Sequence, residues 1–243
     1  MSDFSLHTIF AKNIDARLDL IKMLPQKVLL VGFDNESYQL LSKRFPKAQI
    51  DCVEYREIFL SEYQKTNSKN KLIAYFSKKA KLIEQTFTTS LPENIYDIVW
   101  CNLSLIAKEE KEILKNCFNT LKKDGMLFTT MLGIDSFKEI SSKIDYEFLD
   151  MHDIGDMIKQ IGFSDVVVDT EKHNLNYQTQ ECIIQDIEIL GLLPYIDKDD
   201  ILSGSLKALT LEIVYGHAIK LEKLIENIQE LRFYPSKYKE NIE

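Results

Sequence analysis

The sequence lacks the patterns that mark several common classes of protein. Its four cysteines, Cys52, Cys101, Cys117 and Cys182, form no CxxC pair and no short cluster with histidine, so neither a zinc site nor a disulfide framework is indicated. No apolar run approaches the roughly 18 residues that a membrane-spanning helix needs. A signal peptide has a cationic stretch followed by an apolar one, and the segment MSDFSLHTIF has no such pattern. We therefore expect a cytoplasmic protein without a metal site or a membrane span.

The sequence also lacks an excess of positive charge and any recognisable linker. The chain has 30 Lys and Arg against 38 Asp and Glu, a net charge of −8. Because binding to nucleic acid requires a basic face that neutralises phosphates, a general nucleic-acid binder is not expected. No internal repeat or low-complexity linker divides the 243 residues. We predict a single domain over 1–243, with an N-terminal helix in 1–24, a core in 25–219 and a helical tail in 220–243.

Short apolar runs alternate with amphipathic segments along the chain. The apolar runs predict strands at 27–32, 48–55, 82–87, 95–102, 126–132, 166–177 and 209–216. Helical periodicity predicts helices at 5–24, from the Gly32 turn to Phe45, at 58–81, at 110–123 before an Asp124-Gly125 stop, from a cap at Asp153 to Gly162, at 178–190 and at 220–232. Strands that alternate with helices of this length imply βαβ units and a mainly parallel α/β sheet.

The stretch KVLLVGFDNESYQLL, residues 27 to 41, predicts a buried strand that turns into a helix at Gly32. Open α/β sheets usually bind their ligands at such a turn. Nucleotide-type sites use further glycines there so that the backbone can approach the ligand closely, whereas this turn has Asp34 and Glu36 and no second glycine. These two carboxylates either restrict the site or cap the following helix and favour its dipole.

Four stretches carry a resemblance to a known family: ARLDLIKMLPQKVLLVG (16–32), YDIVWCNLSL (96–105), LKKDGMLFTTMLGIDSFKEI (121–140) and FLDMHDIGDMIKQIGFSDVVVDTEKHNLNY (148–177). On these residues the chain resembles the BioC-type malonyl-acyl carrier protein O-methyltransferases, which act at the start of biotin synthesis. The resemblance implies a Rossmann-like class I methyltransferase fold, with a seven-stranded mainly parallel sheet, helices on both faces and one antiparallel strand near the edge. It also implies S-adenosylmethionine as the cofactor and methylation of the free carboxylate of malonyl-acyl carrier protein.

The departures from the family pattern fall mainly at the expected site. Of the family's glycine motif only Gly32 is present. Phe87 stands where the family has an acid, Ile106-Ala107 replaces Gln-Trp, and Gln185 replaces a basic residue. An alternative to the enzyme is therefore a catalytically inactive methyltransferase-fold pseudoenzyme that serves as a binding or regulatory module. A third possibility is the same fold acting on another small molecule.

Four residues are predicted to bind the cofactor: Gly32, Glu54, Asn102 and Leu103. An acid roughly 20 residues past the first turn can accept hydrogen bonds from both ribose hydroxyls, which fits Glu54; the other interpretation is an exposed acid at a strand end. Asn102 either bonds a ligand or ends its strand. No catalytic residue is predicted, because a carboxylate is ionised at neutral pH and attacks a sulfonium methyl group directly.

Three residues are predicted on the substrate side: Asp135, Ser136 and Tyr177. Asp135 and Ser136 resemble the family's turn after the fifth strand, although a helix cap also explains both. Tyr177 lines a pocket or packs in the core. His152 is either a catalytic histidine or a structural histidine at a helix start, and we expect the structural role. An acidic carrier protein could dock on the lysine-rich segment from Lys65 to Lys81, or that segment is a solvated helix face.

Overall fold

The structure is a computed structural model that describes residues 6–19, 22–32, 34–54, 80–84, 91–105, 110–202 and 204–221. Its strands are β1 (Lys27–Val31), β2 (Gln49–Glu54), β3 (Ala80–Glu84), β4 (Tyr96–Asn102), β5 (Leu121–Leu132), β6 (Ser164–Asn176) and β7 (Ala208–Ile219). Its α-helices are α1 (Leu6–Leu18), α2 (Asn35–Arg44), α3 (Glu110–Thr120), α4 (Met151–Ile161), α5 (Gln180–Ile189) and α6 (Lys198–Leu202), with 3₁₀ segments at Lys138–Lys143 and Leu193–Tyr195.

The strands form one seven-stranded sheet in the order β3-β2-β1-β4-β5-β7-β6. Neighbours from β3 to β5 pair in parallel, and β7 pairs antiparallel with both β5 and β6. The predicted architecture is confirmed: the sheet is mainly parallel and has one antiparallel strand next to an edge. The carboxyl ends of β1, β2, β4 and β5 lie at the same edge of the sheet, where open α/β proteins bind ligands.

Helices cover both faces of the sheet. One apolar cluster joins strand residues such as Leu30 and Trp100 to α1, α2 and α5. A second cluster joins Leu29 and Val99 to α3 and α4. Successive strand residues face opposite sides, so a strand covered on both faces has a continuous apolar run, as the four residues after Lys27 in β1 show. Edge strand β6 instead alternates between half-buried and exposed side chains over most of its length.

The N-terminal helix is shorter than its apolar periodicity predicted. It ends at Leu18, and Leu24, the last apolar position of the predicted helix at 5–24, is 95% exposed. The helix is held against α2 by Arg44, whose guanidinium pairs with Asp15 and, at 2.8 Å, with Asp19. The spacing of apolar residues cannot predict these polar contacts, which lie at the end of the helix.

The boundary between α3 and β5 also differs from the prediction. The helix ends at Thr120 rather than at an Asp124-Gly125 stop, and the Thr120 hydroxyl donates a hydrogen bond to the carbonyl of Pro92 at 2.6 Å. Asp124 has a φ of 61° and lies in a bulge of β5 opposite β4. The Asp-Gly signal therefore marks a bulge within the strand.

Two predicted helical segments, 58–81 and 220–232, lie almost wholly outside the described residues. Strand β3 begins at Ala80, two residues before the predicted 82–87, and residues 85–87 are not described. In the described part of the chain, no helix is long and apolar enough to cross a membrane. No group of His, Cys, Asp or Glu side chains in that same part is arranged to hold a metal ion.

Candidate functional site

The predicted cofactor residues form a row across the carboxyl edge of the sheet. Val31 of β1 pairs with Val53 of β2 and Cys101 of β4, so Glu54, Gly32 and Asn102 come next on three neighbouring strands. The Gly32 N–H donates a hydrogen bond to the carbonyl of Val53 at 2.8 Å. Residues predicted from three separate stretches of the sequence thus fall side by side, and Leu103 follows Asn102.

Gly32 occupies the sharp turn between β1 and α2. Its φ is 72°, in the left-handed region that glycine enters without a steric penalty. Asp34 is the N-cap of α2: its carboxylate accepts a hydrogen bond from the Ser37 N–H at 2.6 Å. Glu36 is exposed in the first helical turn and lines an open groove between α1 and α2. The capping role, one of the two alternatives for Asp34, is the one that the structure contains.

A chain of buried hydrogen bonds runs behind this row, and we call it the Ser37–Thr130 network: Ser37, Trp100, Asn102, Leu103 and Thr130. The Ser37 hydroxyl accepts hydrogen bonds from Trp100 Nε1 at 3.1 Å and from Asn102 Nδ2 at 3.2 Å. The Thr130 hydroxyl donates to Asn102 Oδ1 at 3.1 Å and accepts from the Leu103 N–H at 2.8 Å. All five residues have no measurable exposure. The network joins α2, β4 and β5.

The structure shows the contacts that Asn102 and Leu103 make within the protein, and their role as cofactor ligands stays a prediction. The side-chain amide of Asn102 bonds to Ser37 and Thr130, inside the protein. Leu103 has a φ of 51°, which is unusual for a residue with a side chain. Because its N–H is bonded to Thr130, the backbone at the end of β4 is held in this strained conformation.

Glu54 is the last residue of β2, and its backbone pairs with Glu84 at the end of β3. This is the strand end at which the prediction placed it. Its side chain is outside the described part of the structure, so its role as a ribose ligand stays a prediction.

Asp135 and Ser136 lie in the turn after β5, packed against β7. The Ser136 hydroxyl donates to the carbonyl of Glu212 and accepts from the Glu212 N–H, both at 3.0 Å. The Glu212 carboxylate in turn accepts the Asp135 N–H at 2.9 Å. Asp135 itself is exposed and pairs with Lys172 of β6, whose hydrogen bond lowers the pKa of the Asp135 carboxyl. Ser136 thus anchors the turn, and Asp135 is the more accessible of the two.

Tyr177 follows the carboxyl end of β6, at the same edge of the sheet. Its hydroxyl donates a hydrogen bond to Asp186 Oδ2 of α5 at 2.8 Å. Burial raises the pKa of the Tyr177 hydroxyl, with the adjacent Asp186 adding to the effect, and burial likewise raises the pKa of Asp186. His152, by contrast, has an exposed side chain, and its backbone N–H donates a hydrogen bond to the Asp150 carboxylate.

Sequence reasoning missed three residues that organise this edge: Ser37, Thr130 and Glu212. Ser37 stands three residues after Asp34, which is the spacing of an N-cap contact, so its N–H could have been assigned. The partners of its hydroxyl could not, because Trp100 and Asn102 are more than 60 residues away.

No family model matches the chain. It is 27% identical over 242 residues to malonyl-[acyl-carrier protein] O-methyltransferase 1 of Coxiella burnetii, covering 87% of this chain and 80% of that protein. It is also 27% identical over 234 residues to the malonyl-[acyl-carrier protein] O-methyltransferase of Gallionella capsiferriformans, covering 84% and 80%.

Solved structures share the fold at much lower identity. YcgJ protein from Bacillus subtilis superposes with a TM-score of 0.60 at 12% identity, covering 87% of this chain and 99% of that one. Phosphoethanolamine N-methyltransferase 2 of Haemonchus contortus, in complex with S-adenosyl-L-methionine, gives 0.53 at 16% identity, covering 87% and 52%. The chain therefore has a methyltransferase fold and, as its sequence predicted, is similar over most of its length to the malonyl-[acyl-carrier protein] O-methyltransferases.

Proposed function

We propose that the protein is an S-adenosylmethionine-dependent O-methyltransferase that acts on the free carboxylate of malonyl-acyl carrier protein in biotin synthesis, in the cytoplasm. The observation that supports the proposal is the similarity to relatives of that name over four fifths of their length. The row of Glu54, Gly32 and Asn102 at the carboxyl edge of the sheet agrees with a ligand bound there.

The residues of this edge fit the adenosine part of the cofactor better than its amino-acid part. Gly32 permits a close backbone approach, and Glu54 stands where an acid can accept hydrogen bonds from ribose hydroxyls. The N-terminus of α2 ordinarily favours a bound anion, but the Asp34 carboxylate already accepts a hydrogen bond there. We therefore expect weak affinity for S-adenosylmethionine.

When bound, S-adenosylmethionine supplies an electrophilic methyl group. The acceptor carboxylate is ionised at neutral pH and needs no general base, so the chain's task is to hold donor and acceptor in line. Gly32, Glu54 and the Leu103 backbone would position the donor, and Asp135 and Tyr177 lie at the end of the sheet edge proposed for the acceptor. Ser136 supports the acceptor side by anchoring the turn to β7.

A specific observation favours the alternative of an inactive methyltransferase-fold module. Asp34 stands where the family has a glycine, and it is integrated into the fold as a buried helix cap. A site reshaped in this way can retain the fold while losing the donor. In that case the protein would act by binding a partner rather than by transferring a methyl group.

The first prediction separates these alternatives at the donor site. Replacing Asp34 with Asn keeps a capping side chain and removes one negative charge. We expect S-adenosylhomocysteine to bind about fivefold more tightly to this variant, since two unit charges about 4 Å apart in water interact by roughly 1 kcal/mol. Isothermal titration calorimetry measures the change.

Glu36→Gln is the matched control, because Glu36 is exposed and lines the groove between α1 and α2. Its affinity should equal that of the wild type. Equal affinity in Asp34→Asn would show that the Asp34 charge does not limit binding. Absence of binding in the wild type and in both variants would favour the inactive module.

Growth provides the test of the reaction itself. The gene is introduced into a strain that lacks its malonyl-acyl carrier protein methyltransferase and is grown without biotin. Growth would reject the inactive module, whereas failure to grow, together with measurable S-adenosylhomocysteine binding, would reject the proposed substrate. Acyl carrier protein remains the proposed partner, through the Lys65 to Lys81 segment, most of which lies outside the described residues.

A further inference from the structure

The Ser37–Thr130 network connects the two sides of the candidate site. At one end, the Ser37 N–H is bonded to Asp34 in the turn after β1. At the other end, the Thr130 hydroxyl holds the Leu103 N–H at the end of β4. Asn102 joins the two hydroxyls, accepting from Thr130 and donating to Ser37. A continuous path of hydrogen bonds therefore runs from the donor turn to the strand that leads to the acceptor side.

This path is rigid for a physical reason. Each member is fully buried, and a buried polar group that loses its partner is not compensated by water. The Ser37 hydroxyl alone serves two donors, Trp100 Nε1 and Asn102 Nδ2. A shift of the first turn of α2 would thus disturb two bonds on β4, and a buried network of hydrogen bonds resists such a shift.

We propose that Ser37 and Thr130 are positioning residues, whose hydroxyls couple the turn between β1 and α2 to the end of β4, so that each side of the site fixes the other. The ligand that benefits from this coupling is S-adenosylmethionine, and that part rests on the proposed function. Neither hydroxyl touches the ligand in this account; both act through Asn102 and Leu103.

The protein contains its own reporter of this coupling. Trp100 is the chain's one tryptophan, it is fully buried, and its indole N–H donates to Ser37. Intrinsic fluorescence therefore reports on one indole in contact with the network. Loss of the Ser37 hydroxyl should change its emission maximum even without a ligand.

A double-mutant cycle tests the coupling without any ligand. Ser37→Ala, Thr130→Val and the double variant are unfolded in urea and followed by circular dichroism. We expect the combined effect on the unfolding equilibrium to differ from the product of the single effects by a factor of about three or more, as in residues that share a network. Multiplicative effects, or unchanged Trp100 emission in Ser37→Ala, would overturn the proposal.

The chain offers a matched control and a rescue. Thr129 is the buried neighbour of Thr130 on β5, and its hydroxyl has no hydrogen-bond partner among the described residues. Thr129→Val should therefore combine multiplicatively with Ser37→Ala. Thr130→Ser keeps the hydroxyl and should restore the coupling; a cycle with Thr130→Ser that behaves like the one with Thr130→Val would contradict the role of the hydroxyl.

Calorimetry with S-adenosylhomocysteine tests the consequence for the ligand. Ser37→Ala and Thr130→Val should each weaken binding by about five- to tenfold, the equivalent of one hydrogen bond, and Thr129→Val should not. Wild-type affinity in Thr130→Val would overturn the positioning role. If the wild type binds nothing, the proposed function fails, while the unfolding cycle still decides whether the two turns are coupled.

Discussion

Burial divides the cysteines into two groups, although all four have the same side chain. Cys52, Cys101 and Cys117 are at most 1% exposed, whereas Cys182 is exposed near the start of α5. Burial raises the pKa of the Cys101 thiol, and Cys117 next to it adds to the effect. Because the thiolate is the reactive form, exposure decides which of them can react in the folded protein.

We predict that one thiol per chain reacts with 5,5′-dithiobis(2-nitrobenzoic acid) in the folded protein and that the other three react only after unfolding. The absorbance of the released thiolate measures this count. Cys182→Ser should abolish the fast reaction, and a fast reaction that persists in this variant would mean that one of the buried cysteines is accessible.

At the scale of single residues, the sequence predicted positions better than partners. Gly32, Glu54 and Asn102 fall in one row because the ends of parallel strands are level, which a strand assignment already implies. That the Asn102 amide bonds to Ser37 and Thr130 depends on the packing of α2 against the sheet. Such a contact between distant segments has no signal in a single sequence.

Among the elements, helix α4 shows how a plausible start signal can belong to the wrong residue. The sequence predicted a cap at Asp153, but the N-cap is Asp150, whose carboxylate accepts a hydrogen bond from the backbone N–H of His152 at 2.7 Å. Asp153 lies in the first turn, where an acid interacts favourably with the helix dipole but is not the N-cap. The predicted end at Gly162 is confirmed by its φ of 124° as the C-cap.

We predict that Asp150→Ala lowers the free energy of unfolding by about 1 kcal/mol, the usual cost of losing an N-cap. Asp153→Ala is the matched control and should cost only about 0.3 to 0.5 kcal/mol through the dipole. Urea unfolding of both variants measures the difference. Equal losses would mean that the cap and the first-turn acid contribute alike.

Element boundaries were harder to predict than element types for a related reason. Helix α1 ends at Leu18 although apolar positions continue to Leu24, and α3 ends at Thr120, where Lys220 donates hydrogen bonds to the carbonyls of Asn119 and Leu121. Both ends depend on polar contacts with distant residues. The periodicity of apolar residues identifies the buried face of a helix and carries no information on such polar contacts.

Over the whole molecule, one carboxylate links three separate strands. Asp97 of β4 accepts hydrogen bonds from the N–H groups of Gln26 and Lys27, at 2.8 and 2.9 Å, and from Lys122 Nζ of the β5 bulge at 2.7 Å. Burial opposes ionisation of Asp97, but the hydrogen bonds from Lys122, Lys27 and Gln26 outweigh it and lower the pKa of this carboxyl.

The sign of the pH dependence follows from that lowered pKa. Ionised Asp97 stabilises the folded protein above the ordinary pKa of about 3.9, and this contribution is lost as the pH falls through the lower folded value. Asp97→Asn should therefore be less stable than the wild type by about 1 to 3 kcal/mol at pH 7. The difference should shrink below about pH 4.

Urea unfolding at several pH values from 7 down to 3 measures this difference. Asp145→Asn is a suitable control, because Asp145 is exposed. This substitution should leave the free energy of unfolding nearly unchanged. A difference between wild type and Asp97→Asn that is independent of pH would show that the loss comes from packing and not from the charge.

The sheet as a whole was the most predictable part of the protein. Alternating strands and helices predicted a mainly parallel sheet with both faces covered, and the family resemblance added the antiparallel strand near the edge. The bulge at Lys122–Gly125 and the extension of β6 and β7 beyond β5 were not predicted. These features depend on strand register, which alternation of apolar residues leaves open.

The position of β7 has a consequence for how the protein folds during its synthesis on the ribosome. Residues 208–219 lie between β5 and β6, which precede them in the chain. Until they emerge, a nascent chain exposes unpaired N–H and C=O groups along both earlier strands, which is the condition that invites aggregation. Completion of this part of the sheet is therefore a late step of folding, in which β7 enters the gap between two strands that precede it in the chain.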